Sequence, residues 1–376
     1  MARRIGTALL LLLFTVVAAE VLLRLWPPLG IRVQGDRIVL PTDVDDVIRG
    51  SALPGTDPVI QVHRNHLGLR GPDLPRDTTG LLRIVAVGGS TTECMYLSDG
   101  QDWPTLLGAQ LSRSGRPIWV NNAGLDGHST FGHAILLEDV VLPLRPHVVL
   151  LLVGANELGR SDLGRYDRAQ WRRRSRSWSE HSAILRTWRA WRQARTVRES
   201  GIGHRALALD AMPAPLPPDS LRMQLAREQA LLPRYRTRLE ALIAQCRAQG
   251  ALPVLLTQPC IAANVMDPVL ALKLLDLPLL TGTDGRTLLE RLELINGMTR
   301  TVAREQDVPL IDLARELPGG PAHFYDAFHF TRSGSVAVAG LCADRLTAYL
   351  SARFPQHLTH RSHGLSEGPL GLPVEP

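Results

Sequence analysis

The polar and apolar positions divide this chain into three kinds of stretch. Behind Arg3 and Arg4 comes an apolar run, Ile5 to Ala19; Glu20 interrupts it before a second run reaches Trp26 and the Pro27-Pro28 stop. From Leu81 the pattern changes to short, β-branched apolar runs: Ile84 to Val87, Pro117 to Val120, Pro146 to Val153, Pro253 to Thr257 and Val308 to Asp312. Between them lie stretches of helical period, Trp103 to Leu111, Ser220 to Gln249 (closed by Gly250, interrupted at Pro233) and Arg286 to Glu305. Buried strands alternating with helices predict an α/β fold with about five parallel strands, doubly wound. The strands share a grammar: each of the first three ends in a small-residue loop bearing polar side chains, at Gly88-Gly89-Ser90, Asn121 to Thr130 and Gly154 to Glu157, and Gln258-Pro259-Cys260 follows the fourth. In an open parallel sheet such loops gather at the carboxyl edge, where ligands bind.

The remaining stretches set the organisation. The first 28 residues read as a signal anchor whose helix continues past a candidate cleavage site at Val17 and Ala19, with cleavage as the other reading. Residues 29–80 carry turn formers and two short strand-like runs, Ile31 to Val33 and Ile38 to Leu40, as an extension packed on the main domain of residues 81–354. Within it, His63 to Pro72 clusters polar groups that suit the rim of a site; His63 and His66 lack a nearby Cys or carboxylate in sequence and read as surface histidines. Residues 158–232 exceed what a parallel crossover requires and form a helical insertion. It holds Trp171, Trp178, Trp188 and Trp191 among many arginines, so it is expected either to dock as a lid or to contact anionic lipid beside the anchor. The tail, 355–376, is rich in Gly, Pro, His and Ser and is expected to be disordered.

Composition narrows the function classes. With 45% hydrophobic and 21% charged residues the chain can bury a substantial core. Its net charge of +6 comes almost wholly from arginine, Lys273 being the single lysine, and no zinc-finger, basic-zipper or aromatic RNA-binding signature accompanies it. Nucleic acid is therefore not an expected partner. The four cysteines, Cys94, Cys246, Cys260 and Cys342, have no CxxC spacing, while Cys94 and Cys260 both follow strand ends and are a candidate disulfide.

Candidate chemistry sits at the two ends of the main domain. Ser90 is presented after a buried strand where a helix begins, the position of a nucleophile or of an ordinary N-cap. Asp326 and His329 stand three residues apart after the last strand, so the carboxylate can hold one imidazole nitrogen while the other faces outward. Such a base activates a serine hydroxyl. The oxyanion formed on acyl attack would need donors, for which the Ser90 amide, the Gly127 amide and the Asn156 side chain are candidates. His128 is a rival base without an Asp three residues away.

Four blocks in order, GGSTT at 88–92, NAGLDGHS at 122–129, GANE at 154–157 and DAFH at 326–329, make the chain resemble the SGNH (GDSL-type) hydrolases. Gly89 and Glu157 depart from the Asp residues usual in that pattern. The resemblance implies a three-layer αβα sandwich of flavodoxin-like topology and ester hydrolysis through an acyl-enzyme. It makes Ser90, His329 and Asp326 the catalytic triad, with Ser90, Gly127 and Asn156 as oxyanion donors. Its substrate would be a small ester or an acylated glycan or lipid, and neither metal nor organic cofactor is called for. O-acyl transfer to cell-envelope glycans is the alternative within enzymes, and a silent glycan-binding envelope protein the alternative outside them. The expected location is the cell inner membrane, single-pass, with a periplasmic body, or secretion after cleavage.

Overall fold

The computed structural model describes residues 2–25, 33–34, 37–38, 40–49, 52–113, 117–160, 182–185, 187–188, 191 and 204–355. Trp171, Trp178 and all but the first residue of the expected tail lie outside these. Helix α1 (Ala2–Leu25) carries the N-terminal apolar run, and the stretch Arg4–Leu25 is long and apolar enough to cross a membrane. Strands β1 (Val33–Gln34) and β2 (Arg37–Ile38) pair antiparallel, as do β3 (Val44–Arg49) and β4 (Val59–Arg64). This second hairpin is absent from the sequence reading. In β3 the adjacent Asp45 and Asp46 break any apolar alternation, whereas β4 buries every second residue against the domain.

The main sheet is built from β5 (Leu82–Gly88), β6 (Ile118–Asn122), β7 (Val148–Leu152), β8 (Leu252–Leu256) and, after a small hairpin of β9 (Pro278–Leu280) and β10 (Thr283–Asp284), β11 (Leu310–Ile311). All its pairings are parallel, in the spatial order β11-β8-β7-β5-β6. Renumbered along the chain, that is the 2-1-3-4-5 order of doubly wound flavodoxin-like sheets, with the chain reversing direction at β5. The expected five-stranded parallel sheet is therefore present. Alternate residues of β5 serve opposite layers. Ile84 and Ala86 join Trp103, Leu107 and Val338 from α3 (Trp103–Ser112) and the C-terminal helix Arg332–Arg353. Val85 and Val87 join Ile135, Leu239 and Val302 on the other face, from α4 (Thr130–Leu136) and the helices Pro218–Ala248 and Gly285–Glu305. A sheet covered on both faces favours strands apolar on both sides, which is why the apolar runs in these strands read as continuous rather than alternating.

Three expectations need correcting. Helix Pro218–Ala248 runs through Pro233 unbroken, because Tyr235, Leu239, Leu242, Ile243 and Cys246 are buried along the segment that follows; tertiary burial, more than propensity, decides the state of such a helix. Cys94 and Cys260 form no disulfide: all four thiols are free and buried, and burial pushes Cys94 up to about 12 and Cys260 to about 11. Finally, His63 and His66 do have carboxylate partners, from residues distant in sequence or beyond the next turn. His63 Nδ1 lies 2.8 Å from Asp45 across the β3–β4 hairpin, and His66 Nδ1 lies 2.5 Å from Asp73. Both pairs are exposed surface contacts.

Candidate active site

The site forms where β5 and β7 end side by side, Gly88 opposite Leu152, at the sheet's topological switch point. From β5 the chain turns at Gly88-Gly89 into the single-turn helix α2 (Ser90–Glu93). A Cβ at Gly88 would approach Thr92 Oγ1 and the Leu152 carbonyl within 2.6 Å or less, so the turn is too tight for a side chain there. Ser90, the first residue of α2, is 8% exposed. Its Oγ lies 2.7 Å from His329 Nε2, and His329 Nδ1 lies 2.7 Å from Asp326 Oδ2. Three side chains separated by as many as 239 residues thus make one continuous hydrogen-bonded line.

Local structure fixes the acid end of that line. Asp326 Oδ1 accepts the backbone N–H of Phe328 at 3.0 Å and of His329 at 2.8 Å, an Asx-type turn that leaves Oδ2 for the imidazole. Burial by itself would push the Asp326 carboxyl up. The nearby His329 imidazole, its hydrogen bond and the two amides outweigh that and hold the group below the ordinary aspartate value. His329 is therefore held in one ring orientation by a charged acceptor.

Asn156, in the turn after β7, places its amide against the backbone of residue 89. Nδ2 donates to the His128 carbonyl at 2.9 Å, and a Cβ at Gly89 would come within 2.5 Å of it. The departure from Asp to Gly at position 89 thus has a steric counterpart in this chain. Glu157, the second departure, is buried; it accepts from the Thr130 amide at 2.7 Å and pairs with Arg238 at 2.6 Å, tying the β7 turn to α4 and to helix Pro218–Ala248. Gly127 adopts a left-handed turn, φ +73°, on the loop after β6. His128 carries no bond to Ser90; its ring faces His133 with centroids 6.2 Å apart.

The sequence assigned no part in the site to Glu93 or His204, and held Arg64 and Arg70 only as members of the polar cluster His63 to Pro72. Glu93, 1% exposed, directs one oxygen to Arg64 at 2.5 Å and the other to the Asp126 amide, bracing α2 against the loop that carries Gly127. Arg70, also 1% exposed, donates to the carbonyls of Glu93 and Cys94 at 2.7 Å and of Leu97 at 2.8 Å, closing the C-terminal end of α2. From the cluster His63 to Pro72, Arg64 and Arg70 therefore brace the end of α2. His204, from the expected insertion, lies with its ring centroid 4.0 Å from that of His329, and its Nδ1 meets the Tyr325 hydroxyl at 2.6 Å. Nothing in the sequence around His204 marked it, because its partners Tyr96, Asp126, Tyr325 and His329 all lie far away along the chain. Donor atoms of His204, Asp326 and His329 fall within 4.8 Å of one another, the only such cluster among the described residues, but Asp326 Oδ2 and His329 Nδ1 already engage each other.

A compact serine–imidazole–carboxylate line at a strand end is chemistry found on unrelated folds, so lineage needs separate evidence. The profile of the GDSL-like Lipase/Acylhydrolase family matches residues 86–337, more than half of the chain and all four sequence blocks. The chain belongs to this family. As a GDSL-type hydrolase it is an enzyme acting on ester bonds. No curated protein matches it. Solved structures similar to this GDSL-type chain include the psychrotrophic esterase EstA of a Pseudoalteromonas species, 12% identical with a TM-score of 0.41, covering 72% of this chain and 99% of that one. The lipase/acylhydrolase of Enterococcus faecalis is 16% identical with a TM-score of 0.41, covering 71% of this chain and 96% of that one. Axe2, an acetyl-xylooligosaccharide esterase from Geobacillus, is 14% identical with a TM-score of 0.40, covering 70% of this chain and 93% of that one.

Proposed function

We propose that this GDSL-type enzyme cleaves a carboxylic ester by forming an acyl-enzyme on Ser90, with His329 as general base and then acid and Asp326 as the carboxylate that orients it. The observation that carries this reading is the unbroken line Ser90 Oγ–His329 Nε2, His329 Nδ1–Asp326 Oδ2, each contact 2.7 Å. As Ser90 attacks the acyl carbon, its proton passes to His329 Nε2, and the imidazolium is stabilised by the ionised Asp326. Collapse of the tetrahedral intermediate returns that proton to the leaving alkoxide. Water, deprotonated in turn by His329, releases the acid and restores Ser90. The oxyanion is received by the Ser90 amide, the Gly127 amide and the Asn156 side chain. An amide NH₂ has two hydrogens, and the one bound to the His128 carbonyl leaves the other for substrate. Helix α1 holds the body at a membrane as a signal anchor, with Arg4 on the inner side.

The deciding experiment is hydrolysis of p-nitrophenyl acetate, butyrate and octanoate beside three variants. Ser90→Ala and His329→Ala are each expected to lower kcat/KM by about 10⁴-fold or more, while His128→Ala keeps most of the activity. The opposite ranking of the two histidines would overturn the assignment of the base. Retention of activity in Ser90→Ala would overturn the mechanism.

A further inference from the structure

The bond to Asp326 fixes one edge of the His329 ring and leaves its faces to other neighbours. One face is taken by His204, whose side chain is 8% exposed and whose ring centroid lies 4.0 Å from that of His329. Three segments hold His204 in turn. Its Nδ1 lies 2.6 Å from the Tyr325 hydroxyl, its Nε2 lies 3.9 Å from Asp126 Oδ1 on the loop after β6, and the Tyr96 ring packs on it with centroids 4.6 Å apart. Tyr325 is itself tied to the base. Its amide donates to the His329 carbonyl at 3.0 Å, its carbonyl accepts the Leu207 amide at 3.0 Å, and its ring lies within 13° of parallel to the His329 imidazole.

The chemistry of these groups sets their protons. Burial pushes the Tyr325 phenol well above its ordinary value, so it stays an O–H donor at any working pH. Burial also pushes the Asp126 carboxyl up, but the His204 and His329 imidazoles outweigh this and hold it below the ordinary aspartate value. A carboxylate facing Nε2 favours the proton on that nitrogen, which leaves Nδ1 to accept from the phenol. Tyr325, His204 and Asp126 thus form a second hydroxyl–imidazole–carboxylate line, its imidazole in contact with that of the first. Its hydroxyl belongs to a residue 4% exposed and keeps its proton, so the second line can hold but not attack. We propose that His204 is a positioning residue for the general base: set between Tyr325 and Asp126, it blocks one face of the His329 ring and keeps Nε2 aimed at Ser90 while that nitrogen takes and returns a proton. This role rests on the reading of Ser90 and His329 as nucleophile and base. A base that must serve the leaving alkoxide and then water gains from a ring that cannot swing, since a misplacement of about 1 Å can cost about 10²-fold in rate. Asp126 also adjoins Gly127, so the same contact ties the base to the loop of a proposed oxyanion donor.

The test measures p-nitrophenyl butyrate hydrolysis by the full chain in detergent, with kcat expressed per serine titrated by a fluorophosphonate so that unfolded protein does not count. His204→Ala is expected to lower that kcat by about 10- to 100-fold, with KM within about twofold of the parent. His204→Asn, whose carbonyl oxygen reaches the place of Nδ1 and can accept from Tyr325, recovers part of the loss; His204→Phe, which keeps only the ring, recovers less. Tyr325→Phe alone lowers kcat several-fold and adds nothing to His204→Ala, because the two act in one line. A His204→Ala kcat within about twofold of the parent, or a loss confined to melting temperature and titratable serine, overturns the positioning role. So does a loss carried by KM alone, an Asn variant no better than Phe, or full additivity with Tyr325→Phe. Ser90→Ala and His329→Ala run beside them, and activity retained in either overturns the underlying mechanism instead, whatever the His204 variants do.

Discussion

Two carboxylates, Glu93 and Asp326, pair with basic side chains at the single-turn helix Ser90–Glu93, and they are built differently. Glu93 gives one oxygen to Arg64 and the other to the Asp126 amide, and glutamate and arginine side chains are 1% and 6% exposed. Asp326 gives one oxygen to two backbone amides and the other to His329, with side chains 12% and 13% exposed. An arginine stays charged at any working pH, so its pair with Glu93 is a fixed brace. An imidazole can gain and lose a proton, so under the proposed mechanism the same kind of pairing serves to move one. The choice of cation, more than the carboxylate, separates scaffold from chemistry here.

The largest expected effect breaks the Asp326–His329 pair alone. Asp326→Asn keeps the shape but removes the charge behind the imidazolium, and kcat should fall by about 10²- to 10⁴-fold in ester assays, with melting temperature changed little. Breaking the Glu93–Arg64 pair should do the reverse. Glu93→Ala leaves Arg64 buried without its partner, a loss of about 3–5 kcal/mol in urea unfolding, while the fraction that remains folded turns over ester at a rate within a few-fold of the parent. A Glu93 variant that is fully stable but inactive would undo the contrast. Asn156→Ala touches neither pair and should lower kcat by about 10²- to 10³-fold through loss of one oxyanion donor, KM staying nearly constant.

The smallest effect concerns acid. The folded Asp326 carboxyl lies below its ordinary value, so the stability it contributes is fully present above an unfolded pKa of about 3.9 and is lost as pH falls through the folded one. The difference in melting temperature between the parent and Asp326→Asn should therefore be constant near neutrality and shrink below about pH 4. A difference that grows on acidification would mean that the carboxylate is destabilised by its burial instead.

What could be read in the chain followed from local physics. The five buried strands announce themselves because each carries a short continuous apolar run, and the GGSTT and DAFH blocks announce the side chains that meet at 2.7 Å. The braces could not be read. Arg64 and Arg70 look like surface arginines in a glycine-rich turn, and only a fold that brings β4 beneath α2 buries them. The β3–β4 hairpin was hidden for a related reason: no residue of its outer strand β3 is fully buried, so hydrophobic periodicity has little to report. His204 acquires its place from tertiary contact alone.

The reach of Arg70 into three carbonyls at and just beyond the end of α2 also changes where this enzyme begins. The segment that recurs across the family starts at Ala86, yet a chain shortened to that point would lose Arg64, Asn65 and Arg70 together with β5's first residues. Glu93 would then lose the guanidinium that balances its charge in the interior, and the carbonyls of Glu93, Cys94 and Leu97 would lose the Arg70 donor. The recurring segment is thus not portable on its own in this protein: a designer who transplants, fuses or trims it must carry the preceding hairpin along, as one would keep a keystone with its arch.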